Sequence, residues 1–169
     1  MIDLVLKSIF VAVTNCSLFS PIFTRLECPD GWTEMGERSC VKALTQRGSF
    51  EDSQTACRDL HSDAYLAIPQ SAAEQQILLS LTSGWTWIGV VRAEHGKPGF
   101  VDVKGGALKW KNWKSGEPNN SGGTEDCTEV YAADGLWNDQ TCSDERAAIC
   151  QITKGKHMFF PRSLKSLLI

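Results

Sequence analysis

The fold is decided by the stretch Trp85-Thr86-Trp87-Ile88-Gly89-Val90-Val91. Aromatic and β-branched side chains fill most of it, and this composition favours a β-strand. Four further runs of the same kind follow after glycine-rich turns, at residues 100–103, 108–110, 127–131 and 147–152. The second half of the chain is therefore predicted to consist of short strands.

Before this stretch the pattern of apolar residues predicts two helices. The first runs from Ser49 to Leu60, because Ser49 can cap its N-terminus, and the second begins at the capping box Ser71-x-x-Glu74. Their buried faces are expected to carry Phe50, Cys57 and Leu60 in the first helix and Ala73, Ile77, Leu78 and Leu81 in the second. The preceding turn-rich segment, residues 28–48, has strand-like pieces around Trp32 and Val41. Helices followed by strands indicate the α+β class.

The length and the charge distribution of the chain indicate how many domains it forms and which partners it can bind. With 169 residues, 42% of them hydrophobic, the chain suits one globular domain. Residues 28–151 carry 11 Lys and Arg against 18 Asp and Glu, whereas residues 152–169 form a basic and apolar tail without an acid. An acidic domain argues against a nucleic-acid partner, because phosphate binding needs clustered cations. It is better suited to binding a cation.

The cysteines and the first residues point to the secretory pathway. Six of the seven cysteines lie between Cys28 and Cys150 without any Cys-x-x-Cys pair, which favours three disulfides over zinc. Residues 1–16 are predicted to be a signal peptide, cleaved after Thr14 or Cys16, and residues 17–27 a linker. The alternative for this segment is a buried N-terminal helix; its apolar run is too short to span a bilayer. The protein is therefore expected to be secreted and extracellular.

A long polar stretch, residues 112–126, holds the candidate binding residues. Oxygen-bearing side chains occur there and again directly after Trp137, and none of the clustered groups offers sulfur or imidazole. Calcium takes about six to eight such oxygen ligands. The predicted calcium ligands are Glu117, Asn119, Glu125, Asn138 and Asp139. The alternative is an acidic loop that is merely solvated.

Three motifs in these regions resemble the C-type lectin-like family, and in particular its mannose-type, calcium-dependent lectins. They are Trp87-Ile88-Gly89-Val90, Glu117-Pro118-Asn119, and Trp137-Asn138-Asp139 followed by Cys142, with Glu125 eight residues after Glu117. The resemblance covers residues 28–151. It implies two helices, short antiparallel sheets and a long loop region that binds calcium and sugar.

The resemblance also implies how the site works. The five calcium ligands would contact the sugar as well, and the Glu-Pro-Asn order goes with equatorial vicinal hydroxyls, as in mannose, fucose and N-acetylglucosamine. It implies a cis Glu117–Pro118 bond and the disulfides Cys28–Cys40, Cys57–Cys150 and Cys127–Cys142. Family members often hold a second calcium in the loop after the Trp-Ile-Gly strand. Here Lys97 falls near the place of an acid, so the second site is left open.

The expected function is that of a secreted lectin that recognises glycans, including those of microbes. A single shallow site binds at about millimolar strength, so avidity would need clustering, for example in a homo-oligomer. The alternatives are a domain of the same fold that binds proteins without sugar, and an enzyme such as a glycosidase with paired carboxylates. An enzyme is not expected, because the clustered carboxylates are accounted for as metal ligands. Trp87, Trp110, Trp113 and Trp137 are predicted to be core residues, with sugar stacking as the alternative.

Overall fold

The computed structural model describes residues 27–154. The predicted signal peptide 1–16, the linker up to residue 26 and the tail beyond residue 154 lie outside the described residues. Neither helix of the described part has the length and apolar character needed to cross a membrane. The elements in chain order are β1 Thr33–Met35, β2 Ser39–Ala43, α1 Phe50–Leu60, β3 Tyr65–Leu66, α2 Ala72–Leu79, β4 Trp85–Arg92, β5 Phe100–Asp102, a 3-10 turn Ser121–Gly123, β6 Glu125–Tyr131, β7 Trp137–Thr141 and β8 Ala147–Thr153. The predicted α+β class with two helices is confirmed.

Helix α1 begins as predicted. The Ser49 hydroxyl accepts a hydrogen bond from the backbone N–H of Asp52, which satisfies one of the free donors of the first turn. Phe50 and Cys57 are buried, as expected for the inner face. Leu60 is 46% exposed, so its assignment to that face was wrong. It occupies the last turn, where the chain leaves the helix through His61.

Helix α2 is capped by Ser71, which accepts from the backbone N–H of Glu74. The Glu74 carboxylate accepts from the backbone N–H of Gln70, one residue before the cap. Leu78 is buried as predicted, but Ala73 is exposed. The buried polar residue on the inner face is Gln75, whose side chain is engaged in hydrogen bonds described below.

The strands form one sheet in the order β1-β2-β8-β4-β6-β7, with β3 added beside β8 and β5 beside β4. All pairs are antiparallel except β4 with β8, which pair in parallel over two residues. The predicted strand at residues 108–110 was wrong: Leu108 and Trp110 pack against the core from a loop. Strand β7 was not predicted as a strand.

Gly89 explains why β4 needs a glycine in its centre. A Cβ at this position would lie 2.1 Å from the backbone oxygen of Leu66 in β3. The close approach lets Gly89 donate its N–H to Ala67 over 2.8 Å and accept at its carbonyl from Val103 over 3.0 Å. A larger side chain would push β3 away from the sheet.

The tryptophans lie in the core, as predicted. Trp87 and Trp137 are fully buried in two hydrophobic clusters on the sheet. Trp110 and Trp113 pack edge-on against Trp137, with ring centroids 5.3 and 5.5 Å away. This aromatic group lies under the polar stretch and supports it.

The three disulfides that the resemblance implied are present. Cys28–Cys40 links the segment before β1 to β2, and Cys57–Cys150 links α1 to β8. Cys127–Cys142 links β6 to the segment just after β7.

Candidate functional site

The polar stretch connects β5 to β6 and is attached at its base to β7. The backbone N–H of Trp137 donates to Asn112 over 2.8 Å, and the N–H of Lys114 donates to the carbonyl of Trp137 over 2.9 Å. Strands β6 and β7 pair side by side, with Thr128 opposite Asp139 and Glu129 opposite Asn138. The sheet therefore brings the Glu-Pro-Asn loop and the Trp-Asn-Asp strand to one place.

Trp137 is held by Gln75 of α2. Its indole N–H donates to the Gln75 side-chain oxygen over 2.6 Å, and the Gln75 amide donates to the carbonyl of Gly135 over 2.7 Å. Gly135 has φ +72°, and a Cβ there would lie 2.6 Å from the Gln75 nitrogen. The helix thereby orients the strand that carries Asn138 and Asp139. Sequence reasoning missed Gln75, although an uncharged polar residue on the inner face of a helix was a signal.

Asp139 is the buried centre of the site, with 0% of its surface exposed. One carboxylate oxygen accepts from the backbone N–H of Asn119 over 3.0 Å. The other accepts from the backbone N–H of Asn120 over 2.9 Å and from the guanidinium of Arg92 over 2.7 Å. Asp139 therefore fixes the loop directly after the Glu-Pro-Asn motif.

Glu125 stands at the other end of this loop, at the start of β6. Its carboxylate accepts from the backbone N–H of Ser121 over 2.6 Å, and its own N–H donates to the side chain of Asn120 over 3.0 Å. Burial and the charges of neighbouring carboxylates raise the pKa of the Glu125 carboxyl above its ordinary value. Those carboxylates belong to Asp139, Glu117 and Glu129. The acids are thus close enough to repel one another.

Glu117 and Asn119 flank the cis Glu117–Pro118 bond that the resemblance implied. The Glu117 Oε2 atom is buried and has no hydrogen-bond partner. An unpartnered buried carboxylate oxygen is costly, and a cation is one group that would satisfy it. Asn119 is exposed, so its amide is open to solvent beside the motif.

Asn138 contacts Glu129, a residue that sequence reasoning did not include. Its amide nitrogen donates to Glu129 Oε1 over 3.0 Å, which leaves its oxygen side as the potential ligand. Glu129 is only 2% exposed and also accepts from the guanidinium of Arg146, which in turn contacts Asp144 over 2.9 Å. An acid within an apolar strand, as at Glu129, was the available signal.

Arg92, the last residue of β4, was also missed. Its guanidinium contacts Asp126 over 2.8 Å and Asp139 over 2.7 Å. Asp126 also pairs with His95. Burial alone would raise the pKa of the Asp126 carboxyl, but the hydrogen bonds and charges of His95 and Arg92 outweigh it and hold the pKa below its ordinary value. A cation thus already lies among the acids of this region.

The five predicted ligands offer carboxylate and amide oxygens, which are the donor atoms that calcium prefers. One of these oxygens, Glu117 Oε2, has no hydrogen-bond partner. Within residues 27–154, however, no three acidic, histidine or cysteine side chains are arranged so that they could hold a metal ion as they stand. The two amides would have to complete the set, and the carboxylates of Glu117 and Glu125 would have to turn toward a common point. The residues therefore suit calcium in the chemistry of their donor atoms, but not in their present arrangement.

Comparison with known proteins agrees with the architecture. The family profile described as Lectin C-type domain matches residues 46–152. The mouse protein C-type lectin domain family 4 member G is 33% identical over 129 residues, which are 74% of this chain and 42% of that protein. The chain thus spans less than half the length of this relative.

Two solved structures share the fold. The carbohydrate-recognition domain of the mouse scavenger receptor C-type lectin superposes with a TM-score of 0.66 at 29% identity, over 77% of this chain and 99% of that one. A calcium-independent type II antifreeze protein superposes with a TM-score of 0.69 at 23% identity, over 78% of this chain and 98% of that one. The second likeness concerns the fold alone. With the profile covering most of the chain, this protein belongs to the C-type lectin domain family.

Proposed function

We propose that this protein is a secreted, calcium-dependent lectin that binds mannose-type sugars through the loop between β5 and β6. The observation that carries the proposal is the buried, unpartnered Oε2 atom of Glu117, which lies among other carboxylates and beside the exposed Asn119. A cation is one group that would satisfy such an atom. The name of the scavenger receptor carbohydrate-recognition domain, at 29% identity, supports sugar binding as well.

The five proposed ligands would contribute differently. Glu117 and Glu125 supply charge, and Asn119 and Asn138 supply amide oxygens. Asp139 already receives three hydrogen bonds, so it holds the loop while it contributes to the ion. A bound calcium ion supplies coordination positions for two neighbouring sugar hydroxyls.

Hydrogen bonds from the chain's own residues would then select the sugar. Glu117 offers only acceptors, whereas the Asn119 amide also offers donors. Two neighbouring sugar hydroxyls could donate to the Glu117 carboxylate and accept from the Asn119 amide. This arrangement is the basis for proposing mannose, fucose or N-acetylglucosamine. Glycan-coated surfaces, including those of microbes, present many copies of such sugars, and a homo-oligomer would gain avidity on them.

Extracellular location is part of the proposal. Three disulfides within residues 28–150 support it, since such bonds persist in oxidising compartments. We propose no catalytic reaction. Asp139 and Glu125 are engaged in holding loop backbone and Glu129 in holding an arginine, which supports a binding role over a glycosidase with two free carboxyl groups.

A glycan array with and without calcium tests the proposal. We expect mannose-type sugars to bind in calcium, to be released by chelator and to bind again when calcium is restored. The double variant Glu117→Gln with Asn119→Asp exchanges donor and acceptor positions, so mannose binding should fall relative to galactose. Undiminished sugar binding in chelator would exclude this mechanism.

A second candidate is a protein-binding domain that needs no calcium. It is favoured by the absence, within residues 27–154, of a ready-made group of metal-binding acids. A mannose column discriminates between the two. Retention in calcium and elution by chelator supports the lectin, whereas passage through the column in both buffers supports the protein-binding domain.

A further inference from the structure

Arg92 is an almost fully buried arginine whose guanidinium has several hydrogen-bond acceptors. Its side chain is only 5% exposed. The guanidinium donates to two carboxylates, those of Asp126 and Asp139, and to the backbone carbonyl of Glu125 over 2.7 Å. A further nitrogen donates to the carbonyl of Lys97 over 3.0 Å. The planar, multiply donating guanidinium is suited to such a set of acceptors, whereas an ammonium group is not.

The positive charge of Arg92 lies against carboxylates of the candidate site and an aromatic ring. Two carboxylates pair with one buried cation, and the Phe100 ring lies 4.6 Å from the guanidinium carbon. Removing the cation would leave Asp139 buried with no positive partner, and an unpaired buried charge is strongly unfavourable. The acids therefore depend on Arg92 as long as no metal is bound.

The contacts of Arg92 reach both ends of the binding loop. Through Asp139 the guanidinium acts on the backbone N–H groups of Asn119 and Asn120, which donate to the same carboxylate. Through the carbonyl of Glu125 it fixes the point where the loop enters β6. One side chain thus connects the start of the loop, its end and strand β7.

We propose that Arg92 is a positioning residue: a built-in cation that holds residues 119–125 in their binding conformation before any metal arrives. This inference deepens the proposed function, since the loop it orders is the proposed sugar site. It concerns the calcium-free protein, however, so its main test is made without sugar and without metal, and calcium is added only in a separate arm. In this respect the loop would differ from one that takes shape only when a cation binds.

Amide hydrogen exchange of the full chain in chelator is the direct test. In the wild type, the amides of Asn119 and Asn120 should be protected. In Arg92→Ala they should exchange at least about tenfold faster, because the local opening free energy falls. The amide of Val130, near the C-terminal end of β6, should keep its rate in the same sample. Arg47→Ala is the matched control, because Arg47 is an exposed arginine that also donates to a backbone carbonyl.

Two further arms separate positioning from general stability. Arg92→Lys keeps the charge but cannot reach all acceptors, so it should accelerate exchange less than Arg92→Ala; it also serves if the alanine variant does not fold. Adding calcium to Arg92→Ala should restore protection at Asn119 and Asn120, since the ion replaces the missing charge. A merely structural role would not be rescued in this way.

Three results would overturn the inference. The wild-type loop could exchange in chelator as fast as an unstructured peptide, both Arg92 variants could leave the loop amides unchanged, or calcium could bind Arg92→Ala without restoring protection. A failure of the proposed function looks different: the wild type would bind neither calcium nor mannose, while loop protection still depended on Arg92.

Discussion

The half of the sheet that carries the helices and the half that carries the loop are held by different interactions. Around α1 and β8 the contacts are apolar or covalent, as in the edge-on pair Phe50–Trp87 and the disulfide Cys57–Cys150. Around β6 and β7, ionic contacts are added to the packing of Trp137 and the bridge Cys127–Cys142, with Arg92 and Arg146 each serving two acids. The difference teaches that substitutions in the first half should change stability, whereas substitutions in the second should change binding.

The largest expected effect on stability lies in the apolar half. Trp87→Ala removes a fully buried ring that packs against Phe50, so the free energy of unfolding should fall by about 3–5 kcal/mol. Denaturant unfolding with the disulfides intact measures it. Trp85→Ala, which alters a partly buried ring stacked on Tyr131, is the control and should cost clearly less. Equal losses would show that burial does not distinguish these positions.

The sequence predicted this apolar half well, because its signals are local. Ser49 and Ser71 marked both helix starts, and the aromatic stretch of β4 marked the central strand. Leu60 was misassigned because periodicity continues to a helix end even where the neighbouring elements no longer cover it. The segment at 108–110 was misassigned because two apolar residues served as packing groups rather than as a strand.

The residue types of the proposed site could be predicted from the sequence, but the contacts between them could not. The oxygen-rich residues of the loop were found from their motifs, whereas β7 was missed because Asn138, Asp139 and Gln140 break the apolar pattern of a strand. Arg92 could not be assigned, since its acidic partners are more than 30 positions away in sequence. Ion pairs between residues far apart in the chain produce no repeating pattern in a single sequence.

Within the ionic half, two acids should separate binding from stability. Asp139→Asn weakens charged hydrogen bonds from Arg92 and the loop, so it should abolish mannose binding and lower the free energy of unfolding by about 1–3 kcal/mol. Glu117→Gln should also lose mannose binding, but with a change in stability within about 0.5 kcal/mol, because Glu117 Oε2 has no partner to lose. Sugar-affinity chromatography and unfolding of both variants provide the comparison, and equal stability losses would contradict it.

Acid should weaken calcium binding before it unfolds the apolar half. The pKa of Glu125 is raised in the metal-free protein, whereas calcium binds the ionised carboxylate. If the proposed function holds, a bound ion would lower this pKa, and protonation of Glu125 would release the ion. Calcium affinity should fall as pH drops from neutral toward the raised pKa, and the midpoint should move to lower pH at higher calcium. Isothermal titration at several pH values measures this, and a midpoint independent of calcium would refute the competition.

The smallest effect is expected at the exposed end of α1. Leu60→Ala removes a side chain that is 46% exposed, so the free energy of unfolding should change by no more than about 0.5 kcal/mol. Leu78→Ala, at a fully buried leucine of α2, should cost about 2–5 kcal/mol in the same measurement. A large loss at Leu60 would restore the face assignment made from periodicity.

The connectivity of two disulfides also determines how the domain responds to mechanical pulling. A force applied between residues 27 and 154 passes through Cys28–Cys40, along the chain to Cys57, and through Cys57–Cys150 to the end of β8. Residues 58–149 lie off this covalent route and cannot be extended while both bridges remain intact. The whole binding loop, with β6 and β7, belongs to that bypassed segment. A pulling force applied at the two ends of the domain would therefore not extend the binding loop.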